Sequence, residues 1–110
     1  MYGIRTTGQY KKDVKACAKR NYDLSLLSDA LEILQETGTL PFYPYKTHKL
    51  TGQKVDVWDA HIKPDWLLLW RMEESEDVEY DGIIHLLRTG THSELFGKGK
   101  LFNFNLSKNP

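Results

Sequence analysis

The chain has 110 residues, 40% of them hydrophobic and 27% charged, which predicts one soluble domain with a single core and leaves no room for a second domain. Its single cysteine excludes an intrachain disulfide and favours a reducing compartment. We find no N-terminal signal pattern and no apolar run long enough to span a bilayer. We therefore expect a cytoplasmic protein without a membrane partner.

The formal net charge is zero, which argues against a generic nucleic-acid binder, but the charges are unevenly distributed. Basic residues concentrate in residues 1–20 and 46–63, whereas acidic residues concentrate in residues 73–81. Such asymmetry predicts a basic surface that attracts phosphate, with the acidic run held elsewhere. A first helix and a turn that are merely solvated would give the same pattern, so both interpretations stay open.

The first part of the chain predicts one strand followed by two helices. Residues that favour strands occupy Tyr2–Thr7. Apolar residues at helical spacing predict an amphipathic helix over Gln9–Asn21, with lysines on its solvent face, and a second helix over Leu24–Thr37. Gly38 and Pro41 end the second helix. We expect the two helices to form a hairpin that packs on a sheet.

A β-hairpin is predicted next, because two apolar-rich arms, Val57–Ile62 and Trp66–Trp70, flank a short turn that contains Pro64. Side chains alternate between the faces of a strand. Trp58, Ala60 and Ile62 are therefore expected in the core. Val57, Asp59 and His61 would share the other face, where a carboxylate and an imidazole stand within reach of solvent or a ligand.

The remaining segments complete a three-stranded meander. Leu40–Gln53 predicts a long loop, and loops of this length are often functional. A third strand is expected over Val78–Thr89, with Gly82 as a β-bulge. The predicted order is β-α-α-β-β-β. The fold class is therefore α+β, a mainly antiparallel sheet packed by an N-terminal helical hairpin.

Three segments, taken in order, resemble a known family: Thr47–Gly52, Asp59–Leu68 and Arg88–Gly97. Together with the opening Gly8–Asp13 and the pair Lys19-Arg20, they resemble the YafQ branch of the RelE/ParE toxin superfamily over roughly residues 2–97. The resemblance implies one RelE-like toxin domain over residues 1–97. Residues 98–110 would then be a C-terminal tail, either an edge strand or flexible.

The resemblance also implies a function: the toxin of a bacterial type II toxin–antitoxin pair, a ribosome-dependent endoribonuclease that cuts mRNA in the ribosomal A site. In the implied reaction a ribose 2′-hydroxyl attacks the adjacent phosphate, with no metal or small-molecule cofactor. The implied partners are a cognate antitoxin, the ribosome and mRNA. The family's functional positions fall on His48, His61, Asp65, His92 and Phe96, and Asp59 and Trp66 lie in the same motif.

The residue types suit that reaction, which needs a base for the 2′-hydroxyl, an acid for the departing 5′-oxygen and positive charge near the phosphate. Imidazole, with an ordinary pKa of about 6.5, can serve as acid or base near neutral pH. We predict His92 as the general acid and either His48 or His61 as the base, with Asp65 orienting a histidine or raising its pKa. The candidate RNA contacts are Lys49, Lys63 and Arg88 for phosphate, Phe96 and Trp66 for base stacking, and Asp59.

Other interpretations stay open from sequence alone. A ParE-like toxin would bind and inhibit DNA gyrase without catalysis and would not need this histidine set. A metal site built from His48, His61, His92 and Asp65 has suitable ligand types but no tight ligand spacing. Trp66 and Phe96 could instead fill the core, and Arg88 could pair with the acidic run.

Overall fold

A five-stranded sheet organises the described part of the protein, residues 1–97 of a computed structural model. The predicted tail over residues 98–110 lies outside the described residues. In chain order the elements are β1 (Gly3–Thr6), α1 (Gly8–Lys19), α2 (Leu24–Thr37), α3 (Phe42–Tyr45), β2 (His48–Lys49), β3 (Trp58–Lys63), β4 (Trp66–Glu73), β5 (Ile83–Gly90) and α4 (His92–Phe96).

The strand order in the sheet is β1-β5-β4-β3-β2. β1 pairs with β5 in parallel, and the other three pairings are antiparallel. This confirms the predicted α+β class and the mainly antiparallel sheet. The parallel pairing follows from the topology, because α1, α2 and the β2–β4 meander separate β1 from β5 along the chain.

Local signals in the sequence set the ends of the two long helices. The Thr7 hydroxyl accepts a hydrogen bond from the Tyr10 N–H (2.9 Å) and caps α1, and Asp23 caps α2 by accepting from Ser25. α2 ends at Gly38, whose φ of +83° suits glycine best. The bounds of α2 match the prediction, whereas α1 ends earlier than predicted because Asn21 takes a left-handed conformation.

Apolar side chains pack on both faces of the sheet. The larger cluster joins α1 and α2 to one face and includes Cys17, Leu34, Ala60 and Leu68, with Trp58 and Ile62 packed against it at partial burial. This confirms the helical hairpin and the predicted inward face of β3. The second cluster lies on the opposite face and consists of Val57, Leu67, Leu69, Leu87 and Leu95.

Several predicted boundaries were wrong. The segment Leu40–Gln53 is not all loop, because it contains α3 and β2. The strand predicted over Val78–Thr89 is β5, which begins only at Ile83 because hydrogen bonds within residues 75–80 form turns. Gly82 precedes that strand and is not a bulge; the irregularity between β4 and β5 falls instead at Leu69/Trp70. α4 was not predicted.

A buried carboxylate joins α1 to β5. The oxygens of Asp13 accept from Arg88 Nε (2.7 Å), Arg88 Nη2 (3.1 Å) and the Thr89 N–H (3.1 Å). The Gln9 amide also donates to Asp13, at 3.1 Å. Because Asp13 is buried, its charge is compensated by these donors rather than by water.

We expect Asp13→Ala to lower the free energy of unfolding by roughly 2–4 kcal/mol, because it leaves the Arg88 guanidinium without its anion. The loss should stay below that of a fully buried pair, since a quarter of the Arg88 side chain is exposed. Urea unfolding monitored by tryptophan fluorescence measures it. Lys12→Ala, at the neighbouring exposed position of the same helix, is the control and should change stability by less than about 0.5 kcal/mol. Equal stability of the two variants would contradict the inference.

Candidate active site

Two strands bring His48, Asp59 and His61 to one face of the sheet edge. The register of β2 against β3 pairs His48 with Asp59, and His48 Nδ1 lies 3.4 Å from Asp59 Oδ1. His61 follows Asp59 by two positions and therefore points to the same face. Residues from the predicted loop and the predicted hairpin thus meet although the intervening segment has little regular structure.

Asp65 and His92 form the closest contact of the site. Asp65 Oδ1 accepts from the His92 backbone N–H (2.9 Å) and lies 2.6 Å from His92 Nδ1. A carboxylate oxygen can only accept, so Nδ1 of His92 carries the hydrogen and Nε2 is the atom left for a substrate. The backbone hydrogen bond from His92, followed by the one from its side chain, lowers the pKa of the exposed Asp65 carboxyl.

The Asp65–His92 pair lies next to the residues on β2 and β3, since the ring centroids of His61 and His92 are 5.5 Å apart. We call the five residues His48, Asp59, His61, Asp65 and His92 the histidine–aspartate cluster. His48 Nδ1 is also 3.1 Å from the Lys46 carbonyl oxygen, to which it donates. Nε2 of a neutral His48 is then an acceptor, as a general base requires.

Asp59 differs from the prediction, which placed it within reach of solvent or a ligand. It is only 4% exposed, and its Oδ1 is a buried oxygen without a hydrogen-bond partner. Burial raises the pKa of the Asp59 carboxyl, and the surrounding His48, His61 and His92 partly offset that rise. Asp59 therefore lies beneath the three imidazoles and does not form an open RNA contact.

The short helix that carries His92 is held by two sets of contacts. A capping box closes its first turn: the Thr91 hydroxyl accepts from the Glu94 N–H (3.1 Å), and Glu94 Oε1 accepts from the Thr91 N–H (2.8 Å). Arg20, at the end of α1, donates to both Glu94 oxygens at 3.2 and 2.5 Å. The partial burial of Glu94 raises its pKa, but the hydrogen bonds from Arg20 and Thr91 outweigh this and leave it lowered.

Two of the candidate RNA contacts have structural partners instead. Trp66 is 2% exposed and its indole N–H donates to the Thr89 hydroxyl (2.8 Å), so its ring is core and not a stacking surface. Arg88 forms an ion pair with Asp13, so its guanidinium is not an unpaired contact for phosphate. Its partner also lies outside the acidic run over residues 73–81.

The other three candidate RNA contacts lie near the cluster. Lys49 and Lys63 are exposed, and Lys49 Nζ lies 3.8 Å from Asp56 Oδ1. Phe96 is half-buried against the second apolar cluster.

Within residues 1–97, no group of three His, Cys, Asp or Glu side chains is arranged to hold a metal ion. The same residues contain no helix long and apolar enough to cross a membrane.

Comparison of the sequence with known proteins identifies the family of this chain. Residues 2–97 match the family described as the bacterial toxin of type II toxin–antitoxin systems, YafQ. The chain belongs to this family. The mRNA interferase toxin YafQ of Escherichia coli strain K12 is 39% identical over 95 residues, which cover 86% of this chain and 95% of that protein.

Solved structures give the same result. The YafQ family member is similar to a metal-bound toxin from Helicobacter pylori, with a TM-score of 0.75 and 34% identity, over 87% of this chain and all of that one. It is also similar to the toxin of the E. coli DinJ–YafQ toxin–antitoxin complex, with a TM-score of 0.72 and 37% identity, over 87% of this chain and 98% of that one.

Sequence reasoning missed the residues that support the site. The spacing Thr91-x-x-Glu94 is a capping-box signature and would have predicted α4. Arg20 and Asp13 carry no comparable signal, because their partners lie more than 70 positions away in the sequence.

We expect the Asp59→Asn variant to be at least as stable as the wild-type protein at neutral pH. Burial holds the pKa of Asp59 in the folded state above its value of about 3.9 in the unfolded state. As the pH rises from the unfolded-state pKa through the folded-state pKa, the wild type therefore loses stability relative to the variant. Urea unfolding of both proteins at about pH 4 and about pH 7 measures the difference. An advantage of the Asn variant that shrinks as the pH rises would contradict this assignment.

We expect Glu94→Ala to cost about 1 kcal/mol, because it removes the capping box. The variant should also speed hydrogen exchange of the Thr91 and Leu95 amides. Glu94→Gln keeps an oxygen for the Thr91 N–H and is the matched control. It should retain slow exchange of the Thr91 and Leu95 amides, while its contact with Arg20 loses the charge and the hydrogen bond that Oε2 accepts. Equal exchange rates in the two variants would show that the capping box does not hold α4.

Proposed function

We propose that this chain is a ribosome-dependent endoribonuclease that cleaves mRNA through the histidine–aspartate cluster, as the toxin of a type II toxin–antitoxin pair. The main support is the hydrogen bond of 2.6 Å between His92 Nδ1 and Asp65 Oδ1. A second imidazole, that of His61, lies beside it, with its ring centroid 5.5 Å from that of His92. The relatives named mRNA interferase toxin YafQ support the class of substrate.

In the proposed reaction the ribose 2′-oxygen attacks the adjacent phosphorus and the bond from phosphorus to the 5′-oxygen breaks. The products are a 2′,3′-cyclic phosphate and a 5′-hydroxyl. His92 gives a proton from Nε2 to the departing 5′-oxygen, and Asp65 holds its ring through Nδ1 and stabilises the imidazolium before transfer. No step uses a metal ion.

We assign the general base to His48 and keep His61 for the phosphate. The Lys46 carbonyl accepts from Nδ1 of His48, which leaves the lone pair on Nε2 to take the 2′-hydroxyl proton. Oδ1 of Asp59 lies 3.4 Å from Nδ1 of the same ring, so a carboxyl group adjoins the proposed base. His61 lies beside His92 and can donate to the phosphate oxygens as negative charge develops.

The surroundings suit a single-stranded RNA and a protein inhibitor. Lys49 and Lys63 supply exposed positive charge, and the half-buried Phe96 lies at the end of the short helix that carries His92. A complex of E. coli YafQ with DinJ is among the similar structures. We propose that a cognate antitoxin likewise holds this chain. Acidic segments of the antitoxin can bind the exposed lysines of α1 and of residues 46–63.

The roles of the two histidines can be separated on programmed ribosomes. We expect His92→Gln and His48→Gln each to slow single-turnover cleavage of an A-site codon by roughly 10²–10⁴-fold. A message with sulfur in place of the 5′-oxygen at the cleaved bond has a leaving group that needs no proton. It should restore cleavage by His92→Gln and leave His48→Gln slow.

His85→Gln is the matched control, because His85 pairs with Glu73 at 3.3 Å on another part of the sheet and should leave cleavage unchanged. Full cleavage by His92→Gln on the normal message would reject the general-acid assignment. Inhibition of DNA gyrase by the purified protein, without new 5′ ends on translated mRNA, would reject the nuclease altogether.

A further inference from the structure

A cavity of about 350 Å³ opens beside the histidine–aspartate cluster, and the proposed mechanism leaves it unused. It lies between the end of α3 and the β3–β4 turn. Its lining residues are Pro44, Lys46, His61, Ile62, Lys63 and Pro64. Because His61 forms one wall and its ring lies 5.5 Å from that of His92, whatever fills the cavity adjoins the proposed site of bond cleavage.

The lining combines two chemistries. Pro44, Ile62 and Pro64 present apolar surface, two of them on rigid rings. Lys46 and Lys63 are exposed ammonium groups, and none of the six lining residues is acidic. A ligand with a flat, largely apolar part and an anionic part fits such a lining, and a nucleotide has both.

The cavity on the other side of the same turn has the opposite character. It has a volume of about 420 Å³ and shares Lys63 and Pro64, but Asp23 and Asp65 also line it. Two carboxylates against one lysine disfavour a phosphodiester there. The difference in charge indicates on which side of the turn an RNA strand continues from the cluster.

Two exposed aromatic residues come directly before Pro44, which lines the first cavity. Phe42 and Tyr43, which directly precede Pro44, are 57% and 76% exposed, and their ring centroids lie 5.1 Å apart. Exposed aromatic side chains next to basic residues are the usual surface on which single-stranded bases stack. Lys46 follows in a left-handed conformation (φ +51°), which turns the chain toward β2.

We propose that this cavity, the Lys46 pocket, is the subsite for the nucleotide next to the cleaved bond. The base lies on Pro44, Ile62 and Pro64, the adjoining phosphate lies between Lys46 and Lys63, and the next base stacks on the Phe42–Tyr43 rings. The inference rests on the proposed function, because it assigns a binding site to a further nucleotide of the same RNA substrate. It adds Lys46 and Ile62 to the residues that determine binding and base preference.

Direct binding tests the pocket without any need for cleavage. The probe is an RNA tetranucleotide carrying 2′-fluoro groups, which lacks the attacking hydroxyl, added to the isotope-labelled full chain. We expect chemical-shift changes at the Ile62 methyl groups and the His61 ring, and a three- to fivefold weaker apparent affinity for Lys46→Met. Lys54→Met is the matched control, since it removes another exposed lysine that does not line the pocket. Shifts confined to Tyr22 and Asp23, or equal affinities of the two variants, would overturn the subsite.

Cleavage on programmed ribosomes gives the second measurement. Lys46→Met removes the ammonium group but keeps the backbone carbonyl that accepts from His48. It should therefore raise the toxin concentration that gives half-maximal rate by three- to fivefold and leave the rate at saturation close to that of the wild type. His92→Gln should instead lower the saturating rate. Cleavage by wild type and by Lys46→Met at the same half-maximal concentration overturns the subsite and leaves the nuclease intact. If the wild type fails to cleave, the nuclease is rejected, and the tetranucleotide still decides whether the pocket binds RNA.

Discussion

The hydrogen bonds from His92 to Asp65 connect the two parts of the chain on which the site depends. One carboxylate oxygen on the β3–β4 turn accepts from both the backbone and the ring of a residue 27 positions later. The backbone bond fixes where α4 begins, and the ring bond fixes which nitrogen of the imidazole faces outward. The capping box and Arg20 then hold the rest of the helix, so the orientation of one histidine rests on contacts from a turn, a helix end and α1.

The two aspartates of the cluster lie in opposite environments. Asp65 is exposed, and hydrogen bonds to His92 lower its pKa, so it stays an anion that can stabilise an imidazolium. Asp59 is buried under the imidazoles, and the loss of hydration raises its pKa. Oδ1 of Asp59 has no hydrogen-bond partner, and a buried oxygen in that state costs stability.

A chain of zero net charge presents a basic surface because many of its acids lie elsewhere. Asp13 is buried against Arg88, and Asp59 lies beneath the cluster. In the acidic run over residues 73–81, the acids of residues 73–77 line a separate cavity with Arg5, and Asp81 pairs with the terminal amine at 2.6 Å. The lysines of α1 and of the segment around the Lys46 pocket remain exposed. Local potential, not net charge, governs attraction for an RNA backbone.

The sequence by itself determined the fold class, α2 and the inward face of β3, because periodicity, caps and helix stops act over a few residues. Motif order also indicated which histidines belong together. Only the tertiary structure decided the fate of Asp59, Trp66 and Arg88, since burial and ion pairing depend on which elements pack together. It alone paired Arg20 with Glu94 and placed Lys46 beside His61, because contacts between distant segments follow from the way the sheet and helices close, and no local pattern encodes them.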